Sequence, residues 1–200
     1  MKDLRSLLKE TLFNMIFVQI KAGGDNFAYL IGDEKSGEGC VVDPSFDPGK
    51  ILQVAKKHGL TIKYLVNTHE HFDHAMGNDY ILAETDATLM KSDFKIGGLK
   101  VKIITTPGHS DDSVCILVGN KLMTGDTLFV GAVGRVWSEE DAHKEYESLC
   151  KLMRLPDETE VYPGHDYGQS PSSTIGHEKK TNPFLRHNSF KAFLRLRSIG

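Results

Sequence analysis

The sequence is poor in cysteine and has no long apolar run. Cysteine occurs three times in 200 residues, at Cys40, Cys115 and Cys150, an odd number without paired spacing. This usage argues against a disulfide framework and indicates a reducing compartment. No stretch approaches 18 consecutive apolar residues, and residues 1–14 are too polar for a secretory signal. We therefore expect a soluble cytoplasmic protein with no membrane partner.

The sequence also lacks a concentrated basic stripe. Its formal net charge is -3 at pH 7, and an extended nucleic-acid surface needs clustered positive charge to displace counterions. Nucleic acid is therefore not an expected partner. The basic residues between Lys179 and Arg197 are typical of a solvated helix face, with contact to an anionic substrate as the alternative.

No Ser/Gly-rich linker or internal repeat divides the chain. With 40% apolar residues, a chain of this length can bury one substantial core. We therefore predict a single domain over residues 1–200. Residues 1–14 have the pattern of an amphipathic helix and are predicted to be a peripheral extension, with a misassigned start as the alternative. Residues 171–200 are predicted to form a short C-terminal helical segment.

Short apolar runs rich in Val and Ile predict strands, and longer periodic patterns predict helices. The predicted strands are 15–20, 27–31, 39–42, 62–66, 87–90, 101–106, 114–118 and 121–123. The predicted helices are 49–58, 73–83, 142–153 and 183–197. Strands and helices mixed in this proportion favour an α/β or α+β layered fold.

The most informative segment is Thr68-His69-Glu70-His71-Phe72-Asp73-His74. A chance match to this pattern has a probability of roughly one in a thousand in a chain of this composition. Residues two apart point to opposite faces of a strand and lie about 200° apart around a helix. His69 and His71 therefore converge on one ion only if the chain turns between the predicted strand 62–66 and the helix that follows. We interpret the segment as a metal site, with a solvated polar loop as the alternative.

Three further predicted strands, the last ending at Val161 and Tyr162, are each followed by a glycine and then a ligand-type residue, which supplies His109, Asp126 and His165. Glycine lets the chain bend sharply as it leaves a sheet. The seven candidate ligands exceed the four of one structural zinc and suit two ions that share a bridge. The set contains no cysteine, and imidazole with carboxylate suits zinc, iron or manganese.

With these motifs the chain resembles metallo-β-lactamase-fold hydrolases, and among them the glyoxalase II (hydroxyacylglutathione hydrolase) branch, over about residues 15–186. The matching segments are 41–44, 69–74, 106–109, 125–129, 134–135, 162–167 and 182–186. The resemblance implies a four-layer αβ/βα sandwich, with two facing sheets and helices outside.

The resemblance also implies how the seven ligands are shared between two divalent ions, zinc being expected first and iron or manganese second. The implied ligands are His69, His71 and His109 for metal 1; Asp73, His74 and His165 for metal 2; and Asp126 as the bridge. Asp43 would support the ligand loop from behind, as groups that orient metal-bound imidazoles do. A turn-forming aspartate before Pro44 is the alternative for Asp43.

The implied reaction is hydrolysis of a small-molecule thioester such as an S-2-hydroxyacylglutathione. A hydroxide between the ions, beside the catalytic carboxylates Asp73 and Asp126, would attack the carbonyl carbon and release a thiolate. A thiolate needs no protonation as it leaves, which suits a site without an obvious general acid.

Four residues are expected on the substrate side. Arg135 and Tyr167 match basic and tyrosine positions of the family, and Arg186 matches a basic residue after the Asn-Pro-Phe segment. Trp137 stands where the family usually has tyrosine, which leaves only an indole donor. Packing beside the site mouth is the alternative for Trp137 and Tyr167. Thirty-five residues follow His165, so the family's C-terminal helical domain is shortened and the thiol carrier stays open.

Three other functions remain open at the level of sequence. The first is a persulfide dioxygenase-like enzyme with one iron held by two histidines and an aspartate. The second is a lactonase or other ester hydrolase of the same fold. The third is a non-catalytic metal-binding protein, although degenerate members usually lose ligands and this chain has all seven. The oligomeric state is also open.

Overall fold

The computed structural model describes residues 14–186 and 189–197, and the predicted extension before Asn14 lies outside the described residues. The strands are β1 (Met15–Lys21), β2 (Phe27–Asp33), β3 (Glu38–Val42), β4 (Thr61–Val66), β5 (Thr88–Leu89), β6 (Phe94–Ile96), β7 (Leu99–Thr105), β8 (Val114–Val118), β9 (Lys121–Gly125), β10 (Glu160–Pro163) and β11 (Ser173–Thr174). The helices are α1 (Pro48–Lys57), α2 (Phe72–Ala75), α3 (Asn78–Glu84), α4 (Glu139–Leu152), α5 (Ile175–Thr181) and α6 (Phe190–Arg197). No helix in the described part of the chain is long and apolar enough to cross a membrane.

The strands form two mixed sheets. The first has the order β1-β2-β3-β4-β5, and the second has the order β11-β10-β9-β8-β7-β6. In the first sheet β1, β2 and β3 are antiparallel neighbours, whereas β3 and β4 run parallel, as do β4 and β5. In the second sheet β9 and β10 run parallel, and the pairs β8/β9 and β10/β11 are antiparallel. Two mixed sheets with helices confirm the predicted α/β class.

By its internal contacts the chain divides into two compact units. One contains Met1–Asn67 and His71–Ile103, and we call it the N-unit; the other contains Thr68–Glu70 and Ile104–Gly200, and we call it the C-unit. The boundary passes twice through the ligand-rich segment, so that the C-unit takes His69 and the N-unit takes His71. The single domain over 1–200 stays a prediction.

The N-unit core is built on β2, whose seven residues are all buried. Because successive side chains point to opposite faces and all are buried, the strand reads as a nearly continuous apolar run. Helix α1 begins after Asp47, whose side chain accepts the Lys50 N–H at 3.1 Å, and Pro stands in its first turn, where no donor is lost. Ile51 and Ala55 of this helix are buried in the N-unit core.

The C-unit core centres on α4. Ser138 caps this helix by accepting the Asp141 N–H at 3.1 Å, and the cap starts the helix three residues before the predicted 142–153. Ala142, Leu149 and Leu152 are buried in the same cluster as Phe193 of α6. Helix α6 is therefore an integral part of the C-unit.

Two predicted helices are shorter than expected. The predicted helix 73–83 is interrupted between α2 and α3 at Gly77, where a Cβ atom would lie 2.8 Å from the Ser45 carbonyl oxygen. The predicted helix 183–197 is helical over Phe190–Arg197, and residues 183–186 form a turn. The short strands β6 and β11 were not predicted, because two or three residues carry no measurable periodicity.

Candidate metal centre

The C-unit brings four predicted ligands together, and three of them follow strands. His109 follows β7, Asp126 follows β9 and His165 follows β10. Asp126 Oδ2 lies 3.6 Å from His109 Nε2 and 3.4 Å from His165 Nε2. The ligand atoms of His69 lie within 4.8 Å of those of His109 and Asp126. We call these four residues the C-unit ligands.

These separations fit a divalent ion. Two ligands at about 2.0–2.1 Å from one tetrahedral zinc are about 3.3–3.4 Å apart. The measured distances of 3.4 and 3.6 Å from Asp126 to the two imidazoles are of that size. The donor set of imidazoles and carboxylate also suits zinc, iron and manganese. The C-unit ligands therefore fit the metal chemistry that the sequence predicts.

The structure requires glycine at two positions next to the C-unit ligands. Gly125 has φ +48° and Gly108 has φ +147°, values that side-chain-bearing residues rarely adopt. A Cβ atom would overlap the Thr68 side chain at Gly125 and the Glu145 side chain at Gly108. The predicted sharp bends before Asp126 and His109 are thus present, together with a close approach that the sequence did not reveal.

Two of the three C-unit histidines, His69 and His109, have Nδ1 within hydrogen-bond distance of a neighbouring oxygen. His109 Nδ1 lies 2.8 Å from the Arg135 carbonyl oxygen, and His69 Nδ1 lies 3.1 Å from Thr68 Oγ1. A backbone carbonyl accepts from Nδ1, so His109 is the tautomer with Nε2 available as a ligand. The His165 ring stacks on Tyr167, with ring centres 4.8 Å apart and planes within 1°.

The N-unit carries the other three predicted ligands on and beside α2. His71 precedes the helix and is exposed, whereas His74 is fully buried. His74 Nε2 lies 3.6 Å from Asp73 Oδ2. The Asn26 side-chain amide donates to Asp73 Oδ2 at 3.2 Å. We call His71, Asp73 and His74 the N-unit ligands.

Asp43 lies directly behind His74. Its Oδ2 is 3.0 Å from His74 Nδ1, and the side chain is fully buried. Both Asp43 and Ser45 have φ +48°, an uncommon conformation outside glycine that is tolerated where it serves a site. The Ser45 hydroxyl donates to the Asp73 carbonyl oxygen at 2.8 Å. This strained corner after β3 therefore supports two N-unit ligands.

Several residues that contact the ligands were not predicted from the sequence, among them Asn67, whose side-chain amide donates to the His74 carbonyl oxygen at 3.3 Å. Thr68, Asn26 and Ser45 hydrogen-bond to His69 or Asp73. Their residue types occur in any turn, so composition gives no signal for them. Thr68 alone had a positional clue, because it directly precedes the histidine-rich run.

The predicted substrate residues differ in their contacts. The Arg135 guanidinium carbon lies 4.2 Å from the centre of the Trp137 ring, and Trp137 is 64% exposed. Tyr167 is 57% exposed and contacts Phe129 as well as His165. Arg186 is exposed in the turn after α5, and none of these ring contacts includes it. The C-unit thus pairs Arg135 with Trp137 and places Tyr167 on a ligand.

Comparisons with known proteins agree with this chemistry. The metallo-beta-lactamase superfamily model matches residues 22–96 and 89–165. A Schizosaccharomyces pombe protein named probable hydroxyacylglutathione hydrolase glo2 is 31% identical, over 82% of this chain and 84% of its own length. The cytoplasmic hydroxyacylglutathione hydrolase of Arabidopsis thaliana is 36% identical, over 72% of this chain and 64% of its own length. The crystal structure of ETHE1 from Myxococcus xanthus superposes with a TM-score of 0.85 at 33% identity, over 92% of this chain and 90% of that one.

Proposed function

Because the chain belongs to the metallo-β-lactamase superfamily and, within it, to the hydroxyacylglutathione hydrolases, we propose that it hydrolyses thioesters such as S-2-hydroxyacylglutathiones. One observation carries the proposal. The Asp126 carboxylate lies 3.6 Å from His109 and 3.4 Å from His165, so it is close enough to each imidazole to bind a metal ion together with it. A shared carboxylate between metal ligands is the centre of a two-metal hydrolase.

We propose that the C-unit and N-unit ligands together hold two divalent ions. The segment that supplies His69 to the C-unit and His71 to the N-unit is one continuous peptide, so their Cα atoms are at most about 7 Å apart. Both sets of ligands are therefore tied to the same short loop. Zinc is the first candidate ion, and iron or manganese suits the same donors.

The protein's own groups have distinct parts in the reaction. The proposed ligands would hold a divalent ion, which would supply a coordinated water with a pKa of about 7 and polarise a substrate carbonyl. The Asp126 carboxylate orients the attacking water by accepting a hydrogen bond. Asp73, itself oriented by Asn26, is the second catalytic carboxylate. The thiolate leaves without a proton from the protein, so no general acid is required.

Arg135 and Tyr167 are the proposed substrate contacts, with Trp137 as a platform for Arg135 and Arg186 as a further cation. The indole face holds the guanidinium by a cation–π contact at 4.2 Å. That contact leaves the planar donors of Arg135 available to a substrate carboxylate. An anionic thiol carrier such as glutathione fits this arrangement.

The decisive experiment measures metal content and reaction together. Purified protein is analysed for zinc, iron and manganese, and S-lactoylglutathione hydrolysis is followed before and after removal of metal by a chelator. We expect two ions per chain, loss of hydrolysis on chelation and recovery on re-addition of metal. Absence of hydrolysis by the fully loaded protein would contradict the proposal.

A second candidate function is a persulfide dioxygenase-like activity with one iron, which the similarity to ETHE1 from Myxococcus xanthus fits. Its signature is oxygen uptake with glutathione persulfide and one iron per chain. The proposed hydrolase is expected to show neither oxygen uptake with glutathione persulfide nor a single iron per chain. Measurements on the same preparation therefore distinguish the two functions.

We place the protein in the cytoplasm. Cys40 and Cys115 are buried free thiols, and Cys150 is an exposed free thiol. Cysteines that form no disulfide with one another are typical of proteins from a reducing compartment. The small-molecule thioester is the one partner that we propose.

A further inference from the structure

The last described turn of α6 carries an arginine that is buried in the C-unit. Arg197 forms an ion pair with Glu145 of α4, and the two side chains are 7% and 1% exposed. Its guanidinium carbon also lies 5.0 Å from the Phe193 ring centre and 5.2 Å from that of Phe184. The basic residues near the C-terminus were expected on a solvated helix face, and Arg197 departs from that expectation.

Burying such a pair is costly. Taking both charges out of water removes several kcal/mol of solvation per ion, which the ion pair itself rarely exceeds. Burial lowers the pKa of Arg197 to about 10, so the guanidinium still carries its charge at neutral pH. A pair of apolar side chains would fill the same space at less cost. Packing alone therefore does not account for a buried arginine at this position.

Arg197 reaches the segment that holds a metal ligand. Its Nη1 donates to the Gly134 carbonyl oxygen at 2.6 Å. The next carbonyl along the chain, that of Arg135, accepts from His109 Nδ1 at 2.8 Å. A Cβ atom at Gly134 would overlap the Asp126 carbonyl oxygen, so this segment also lies against the backbone of the bridging carboxylate. Arg197 and His109 thus hold consecutive carbonyls of one short segment.

Glu145 packs against the residue that precedes the same ligand. A Cβ atom at Gly108, the residue before His109, would overlap Glu145. One turn further along α4, the Ser148 hydroxyl donates to the Pro107 carbonyl oxygen at 2.8 Å. Helix α4 therefore fixes the backbone that precedes His109. Arg197 fixes the segment whose carbonyl accepts a hydrogen bond from the His109 imidazole.

We propose that Arg197 is a positioning residue of the metal centre: paired with Glu145, it holds the Gly134 carbonyl so that the Arg135 carbonyl orients the His109 imidazole. The C-terminal helix would then be part of the metal site as well as of the core. The proposal rests on the proposed function only in taking His109 as a ligand.

The test separates metal binding from fold stability. Arg197→Met alone leaves Glu145 buried without its cation and is expected to lower the thermal unfolding temperature of the metal-free protein. The double variant Glu145→Met/Arg197→Met removes both charges and keeps apolar volume, so its thermal unfolding is expected close to wild type. Arg195→Met is the matched control, because Arg195 is an exposed arginine on the same helix.

Three measurements are made on each variant: Zn²⁺ affinity by competition with a chromophoric chelator, the absorption spectrum of the Co²⁺-loaded protein, and thermal unfolding of the metal-free protein. We expect the double variant to bind the Zn²⁺ ion at His109 about 10-fold less tightly than wild type. A loss of this size is typical when an outer hydrogen bond to a ligand is lost. Its Co²⁺ spectrum should also change, whereas the control should match wild type in all three.

Wild-type Zn²⁺ affinity and Co²⁺ spectrum in the double variant would overturn the proposal and leave the pair a purely structural one. Equal losses in the Arg195→Met control would overturn it as well. Arg197→Lys gives an independent answer, because it keeps a cation beside Glu145 but lacks the planar fork that reaches both Glu145 and Gly134. Wild-type affinity in that variant also overturns the proposal. All three measurements are made without substrate, so failure of thioester hydrolysis by wild type leaves this result unaffected.

Discussion

Replacing Asp43 with asparagine tests the support behind His74 without altering its shape. The carboxylate lies 3.0 Å from His74 Nδ1, and both side chains are fully buried. Asparagine tolerates the φ of +48° at this position, so Asp43→Asn should fold normally. The change replaces a charge-assisted hydrogen bond with a neutral one of roughly half the strength.

The expected loss can be given a magnitude. Removing an outer partner of a ligating histidine lowers metal affinity about 10- to 100-fold, or about 1.4–2.7 kcal/mol. We expect Asp43→Asn to lose that amount in Zn²⁺ affinity, measured by competition with a chromophoric chelator. Asp43→Ala should lose more and should also unfold more easily without metal, because a left-handed backbone costs alanine about 1 kcal/mol.

Asp47→Asn is the matched control for Asp43→Asn. Asp47 is exposed four residues further along and caps α1 by accepting the Lys50 N–H. Asparagine caps helices about as well as aspartate, so the control should keep wild-type affinity and stability. If Asp43→Asn binds Zn²⁺ within twofold of wild type, the contact with His74 has no role in holding metal and the reasoning is refuted.

Three further predictions concern the reaction and the thiols. Asp126→Ala should lower thioester hydrolysis by orders of magnitude with an unchanged circular dichroism spectrum, and near wild-type turnover would contradict the bridging role. Arg135→Ala should raise KM for an anionic thioester more than it lowers kcat, because it removes ground-state binding while the backbone carbonyl remains; an unchanged KM would make Arg135 a surface residue. One thiol, the exposed Cys150, should react quickly with a disulfide reagent in the native protein. Cys40 and Cys115 should react slowly, because burial raises the pKa of both thiols, that of Cys115 to about 11. Three fast-reacting thiols would contradict this prediction and show that the core opens readily.

The fold was predictable where the pattern is local. Strand β2 is a continuous apolar run because it is buried on both faces, and α1 has its cap and its apolar side in the sequence. The requirement for glycine at position 77 was not predictable, because it depends on the approach of the Ser45 carbonyl from another part of the chain. Local periodicity carries no information about such approaches.

From the sequence, the candidate ligands could be proposed, but not the groups that contact them. Few residue types bind metal ions, so a dense run of His69, His71 and His74 stands out in the sequence. The groups behind the ligands are ordinary: a carbonyl from Arg135 and a guanidinium from Arg197. Their roles arise from distances set by tertiary packing, which no spacing in the sequence encodes.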